Sequence, residues 1–216
     1  FDYEVLDERA ADMSVLIAAY PKNLVYSYLE VARNAGFLPI IFELESQAVA
    51  RAVTPGWVTD ARLVGDIGKT RTTFSIVYKK AVYFTSTIKI GGRDINKALT
   101  ESLKITQEES NEIKMGRGFD FSSEDIIRNL LPLLSTLAKE ASRQINFWEH
   151  RATDEPPIAG VYLCGGDSHL RGLPEFFFKE LGIPVERSKI WENTFDLGEY
   201  IPPINAHDTL LYATAM

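Results

Sequence analysis

A chain of 216 residues with 45% hydrophobic and 25% charged residues is long enough to bury a sizeable core as one domain or two, and no low-complexity tract argues for extended disorder. The formal net charge is -7 and no basic run is longer than Lys79-Lys80, which excludes the phosphate-backbone footprint that nucleic acid requires. The longest apolar runs, residues 15–19 and 38–42, fall far short of the roughly 20 residues that cross a bilayer, and the single cysteine, Cys164, has no disulfide partner within the chain, which fits a reducing compartment.

Residues 1–6 alternate apolar and polar side chains and predict an edge strand. Residues 14–19 predict a buried strand. After Pro21 the positions Leu24, Tyr28, Val31 and Ala35 keep helical spacing until Gly36 ends the helix. Residues 40–44 predict a second buried strand, leading into a short helix over 45–51 that Pro55-Gly56 stops. The order strand, helix, strand, helix predicts a parallel-sheet α/β layer. The period then changes to two, and residues 61–65, 72–78 and 81–90 predict an antiparallel meander with tight loops. Gly91-Gly92 ends the meander and a helix follows through Ile95 and Leu99. Thr106-Gln107-Glu108-Glu109 has capping-box spacing, so a second helix is predicted to run to Gly116. Residues 120–123 read as a loop, and 124–151 as one long helix that Pro132 bends early. After a linker at 153–157, residues 160–164 predict a buried strand, 174–181 a helix, 183–187 a strand and 206–215 a further helix.

Three glycine-containing loops are candidates for chemistry. The hairpin loop Asp66-Ile67-Gly68-Lys69-Thr70-Arg71-Thr72 can turn successive backbone N–H groups toward one point and cradle phosphate oxygens, with hydroxyls from Thr70 and Thr72 added. Asp66 at the strand end is placed to hold a magnesium ion through waters. An ordinary hairpin with a polar tip has the same sequence. Gly165-Gly166-Asp167 links a buried strand to a helix, where bare backbone admits a ribose or a flat ring; a tight strand-to-helix turn is the equal alternative. Gly91-Gly92 could bring backbone near a phosphate and is otherwise a turn. Asp167-Ser168-His169 is a poor hydrolytic triad, because residues adjacent in sequence project in different directions. The three histidines have no ligand spacing with one another or with Cys164.

Taken in order, a strand ending in Glu45, the Asp66-Ile67-Gly68 hairpin, the Ile90-Gly91-Gly92 turn, a helix ending in Ile113-Lys114 and the Gly165-Gly166 loop resemble the actin-like ATPases. Within that group the wording is most similar to the PilM family of type IV pilus assembly, through Ala35-Gly36-Phe37-Leu38-Pro39, Glu43-Leu44-Glu45-Ser46-Gln47-Ala48-Val49-Ala50-Arg51-Ala52 and Gly172-Leu173-Pro174. The resemblance covers nearly the whole chain. It implies an α/β, actin-like ATPase (ribonuclease H-like) fold: residues 1–57 as the remainder of a first half, 58–216 as a second half, and a helical insert at about 95–150.

It also implies roles. ATP and Mg2+ would be the cofactors, with Asp66 near the magnesium ion and Gly68, Lys69, Thr70 and Thr72 in the second phosphate loop. Glu45 would orient the water that attacks the γ-phosphate wherever hydrolysis occurs. Lys114, Gly165, Gly166 and Asp167 would surround the adenosine. Asn111 stands where the family usually has a glutamate near the ribose, and an amide still hydrogen-bonds hydroxyls. A PilN-like cytoplasmic tail would recruit this cytoplasmic chain to the inner membrane, with self-association left open. The first phosphate loop is expected upstream of Phe1, so the chain as given is expected to bind nucleotide weakly or not at all. A nucleotide-free scaffold and an FtsA-like division protein are the alternatives. An FtsA-like chain would end in an amphipathic membrane helix, a pattern that residues 206–215 lack. A metabolic kinase is disfavoured by the polar, helical insert.

Overall fold

In the computed structural model, which describes residues 2–8, 13–116, 124–151, 154–196, 198–204 and 206–214, the opening alternation does form a strand. Strand β1 (Asp2–Glu8) pairs antiparallel with β2 (Met13–Ala18), and the two make a small sheet of their own. Helix α1 (Lys22–Asn34) follows Pro21, and the chain leaves it through Gly36 at φ +84°, a left-handed turn that favours glycine.

Three expectations for this region need correction. The strands form an antiparallel hairpin instead of a parallel layer. Strand β2 is not buried: Met13 and Ile17 are 54% and 63% exposed. Residues 40–44 form no strand at all, and Ile40 and Ile41 stand 83% and 80% exposed. The physical reason is shared. A strand exists by pairing with a neighbour, and among the described residues nothing runs beside 40–44. Helix α1 likewise buries none of its residues.

From residue 45 onward the chain folds around a five-stranded sheet. Helix α2 (Glu45–Val53) leads into β3 (Ala61–Ile67), β4 (Thr72–Tyr78) and β5 (Ala81–Ile88), which form the expected antiparallel meander. Strands β6 (Ile158–Cys164) and β7 (Val185–Arg187) add in parallel on the far side of β3, giving the order β5-β4-β3-β6-β7. Between β5 and β6 lie α3 (Gly92–Leu103), α4 (Gln107–Gly116) and the long α5 (Glu124–Arg151), which includes Pro132. The capping box at Thr106 forms as expected: its hydroxyl accepts the Glu109 N–H at 3.2 Å and its own N–H donates to Glu109 Oε2 at 2.8 Å. The predicted loop at 120–123 lies outside the described residues.

Each face of the sheet is buried under a different set of helices. On one face Leu63, Ile67, Phe74 and Leu163 pack with α3, α5 and α6 (Leu173–Leu181) through Leu99, Leu134, Leu137 and Phe177. On the other, Val64, Val77 and Cys164 meet α2, α7 (Ile190–Thr194) and the C-terminal segment through Val49, Val53, Ile190 and Leu210. Burial on both faces is why β6 reads as a continuous apolar run. It also ties α2 to the sheet that follows it. The C-terminal segment Ala206–Tyr212 is a 3-10 helix where a longer helix was expected. Its Leu210 carbonyl accepts the Gly165 N–H at 3.0 Å, so that acceptor serves the neighbouring loop.

Candidate functional site

Asp66 sits near the end of β3, opposite Thr73 of β4 and Cys164 of β6. Its carboxyl is shielded from solvent and faces the charge of Glu45, and these two effects raise its pKa from 3.8 to about 6 against the opposing pull of Arg71. Directly after β6 the backbone turns at Gly165 with φ +83°, and a Cβ there would overlap both the Asp66 carboxylate and the Ile67 carbonyl. Only glycine lets the two strand ends come so close. Cys164 is fully buried beside Asp66, and burial together with that carboxylate pushes its thiol well up, so it stays protonated.

The hairpin loop after Asp66 is held from several sides. Gly68 N–H donates to the Arg71 carbonyl at 3.0 Å, while Gly92 N–H donates to the Gly68 carbonyl at 3.0 Å and Arg93 N–H to the Lys69 carbonyl at 2.8 Å. The Thr72 hydroxyl, fully buried, donates to the Ile90 carbonyl at 2.8 Å. A Cβ on Gly91 would run into the loop backbone at Gly68, Lys69 and Arg71. The bare backbone of the Gly91-Gly92 turn is therefore spent on clasping this loop, and Thr72 Oγ1 on anchoring it. Lys69 and Thr70 remain exposed at the tip.

The residues expected around an adenosine form a second cluster. Lys114 Nζ donates to Asp167 Oδ1 at 2.7 Å, with the two side chains only 11% and 14% exposed. The Asp167 carboxylate also lies against Gly92 at the start of α3, where any Cβ would collide with it; the partial positive charge of a helix N-terminus favours a carboxylate there. Asn111 Oδ1 accepts the Asn96 amide at 3.2 Å. The tip of the Leu211 side chain lies over Gly166, where a Cβ would have to displace it. The turn between Gly166 and Leu170 is fixed by Arg187, whose Nε donates to the Ser168 carbonyl at 2.8 Å and whose Nη2 donates to the Leu170 carbonyl at 2.9 Å.

Two adjoining cavities lie beside the first of these clusters. One of about 540 Å³ is lined by Glu45, Asp66, Arg71 and Thr73 together with apolar groups such as Val49. Its neighbour, of about 780 Å³, shares Glu45 and Arg71 and extends over Tyr3, Tyr28 and Phe42. Glu45 and Asp66, 21 positions apart in sequence, are thus brought together, whereas Asn111, Lys114, Gly166 and Asp167 line neither cavity. Arg71 joins the first pair: its Nη2 donates to Glu45 Oε2 at 2.9 Å. Arg71 and Arg187 are the site residues not expected from the sequence. The available signal for Arg71 was a basic residue inside a candidate phosphate loop; for Arg187 there was none, since its role depends on where β7 lies.

Residues 1–200 match the family described as type IV pilus assembly protein PilM. The chain belongs to the PilM family. Among solved structures, the PilM-PilN type IV pilus biogenesis complex aligns with a TM-score of 0.74 at 23% identity, over 99% of this chain and 63% of that one. MreB5 of Spiroplasma citri bound to AMPPNP aligns at 0.62 with 16% identity, over 92% of this chain and 64% of that one. The ethanolamine utilization protein EutJ from Carboxydothermus hydrogenoformans aligns at 0.57 with 27% identity, over 79% and 57%. This PilM-family chain spans less than two thirds of the length of each of these structures. The likeness shows that its α/β architecture is part of the actin-like ATPase fold expected from the sequence.

Proposed function

We propose that this chain supplies the phosphate and metal side of an ATP site, and that the whole protein is a cytoplasmic, ATP-binding component of type IV pilus assembly recruited to the inner membrane by a PilN-type partner. The observation that carries the site is the placing of Asp66 and Glu45 in one cavity, next to a glycine hairpin loop whose backbone is fixed. Magnesium favours one or two carboxylates, keeps several waters and takes its remaining ligands from phosphate oxygens. Among the described residues no three His, Cys, Asp or Glu side chains gather to hold a metal unaided. Two carboxylates beside a phosphate loop suit a cation that arrives with its nucleotide, and such a cation would counter the burial and the Glu45 charge that raise the Asp66 pKa. Bound Mg2+ would supply charge neutralisation at the β- and γ-phosphates. Asp66 would hold its hydration shell, the Gly68–Thr72 backbone would position phosphate oxygens, and Glu45 would orient a water.

Two of the similar structures support the reading: one is MreB5 bound to AMPPNP and another is a PilM-PilN complex. No helix among the described residues is long and apolar enough to cross a membrane, so a partner is the proposed route to the membrane.

A scaffold that has the fold without nucleotide is favoured by one observation. Lys114 and Asp167 satisfy each other, Asn111 bonds Asn96, and Leu211 sits on Gly166, so the adenosine side is already occupied by the chain's own contacts. Calorimetric titration of Mg-ATP into the full-length protein separates the two. Dissociation constants on the order of micromolar, about -8 kcal/mol, that disappear in Asp66→Ala support the ATP site. No heat of binding in the intact protein leaves the scaffold and removes Asp66 and Glu45 from any working role.

A further inference from the structure

We propose that Arg71 is the specificity-determining residue of this site: its guanidinium recognises the terminal phosphate of a nucleoside triphosphate and so separates triphosphate from diphosphate. The inference rests on the nucleotide reading above and goes beyond it.

Arg71 is the one basic side chain among the described residues that line either cavity. It shares the smaller cavity with the carboxylates of Glu45 and Asp66. A polyphosphate entering that space meets two groups of its own sign, and a single guanidinium is all that the lining side chains offer against them. The ion pair with Glu45 spans 26 residues of sequence and uses Nη2. A guanidinium carries five N–H donors in a planar fork, and Nη2 holds two of them, so one can stay on Glu45 while the other, together with the N–H beside it on Nε or Nη1, reaches two oxygens of one phosphate group.

The backbone fixes where this can happen. Arg71 closes the hairpin through the bond its carbonyl accepts from Gly68, Thr72 is anchored on Ile90, and Gly92 and Arg93 clasp the loop from outside. The Cα of Arg71 is therefore held, while its side chain, 57% exposed, can change rotamer toward a ligand. In the reading above the loop backbone positions phosphate oxygens and Glu45 faces the water that attacks the γ-phosphate. A guanidinium bonded to Glu45 lies at the γ-phosphate end. A diphosphate leaves it without an oxygen to bind, and a triphosphate provides one.

The test is the ratio of Mg-ATP to Mg-ADP affinity in the full-length protein, measured for wild type, Arg71→Gln and Arg71→Lys, with thermal melting beside it. Arg71→Gln is expected to weaken ATP about tenfold or more, roughly 1.4 kcal/mol, and to change ADP by less than about twofold, with melting unaltered. Arg71→Lys keeps the charge and loses the fork, and is expected to recover part of the ATP affinity. A parallel loss of both nucleotides, or an unchanged ratio, overturns the inference and leaves the nucleotide site standing. Failure of the wild-type protein to bind either nucleotide overturns both.

Discussion

Ile41 and Ile76 belong to apolar stretches of similar character, yet Ile41 is 80% exposed and Ile76 is fully buried. The difference extends to whole regions. In residues 2–44 two strands and α1 form where the periodicity predicts, but the strands pair antiparallel and leave Tyr3, Ile17, Tyr28, Val31 and Ile41 largely exposed. From residue 45 onward the same kind of signal ends in a core, because β3 and β6 are covered on both faces. Local pattern thus decides which element forms, and the presence of a second surface decides what the element buries.

Stability measurements can break or sharpen that contrast. The largest effect is expected at Phe74, which is fully buried and packs on Phe177 with ring centroids 6.4 Å apart. Phe74→Ala should cost about 3–5 kcal/mol in chemical denaturation, and a loss below about 1 kcal/mol would mean that the sheet core is not where stability resides.

Asp66 comes next, and its effect depends on pH. Its pKa is raised from 3.8 to about 6 in the fold, first by burial and then by Glu45. A folded pKa above the unfolded one means that the stabilising contribution is full below about pH 4 and is lost as pH rises through about 6. Asp66→Asn should therefore be close to neutral near pH 4 and stabilise by about 2–3 kcal/mol near pH 8, from a shift of about two units at roughly 1.4 kcal/mol each. Equal effects at both pH values would contradict the burial of this carboxyl.

Lys114→Met should destabilise by about 2 kcal/mol near neutral pH, since it strands the mostly buried Asp167 carboxylate; a change within about 0.5 kcal/mol would show that the pair is not sealed. The smallest effects belong to exposed groups. Ile41→Ser should change stability by less than about 0.5 kcal/mol, and a large loss there would show that 37–42 is covered after all. Arg71→Gln should stay within a similar margin, because both partners of its ion pair are more than half exposed.

The meander, its tight loops, the Thr106 capping box and the long α5 were legible because each is set by neighbours within a few residues in sequence. The Asp66 hairpin and the Gly165 turn could be read for the same reason. What escaped were the relations set by distant chain segments. The docking of the Gly91-Gly92 turn on the Gly68–Arg71 loop joins segments too far apart in sequence for local pattern to show. Lys114 and Asp167 form an ion pair that no spacing reveals for residues 53 apart. Residues 40–44 have the composition of a buried strand and lack the neighbour that would make them one.

Cys164 turns the fold into its own reporter. The thiol lies at the end of β6 with no exposed surface and is kept protonated by burial and by Asp66. A thiol-reactive dye can reach it only when β6 separates from the helices covering it, so labelling follows the opening of the sheet and not the fraying of the hairpin or α1. With one cysteine in the chain there is one signal. Ligands that bind beside Asp66 would slow that clock by holding the strand end shut.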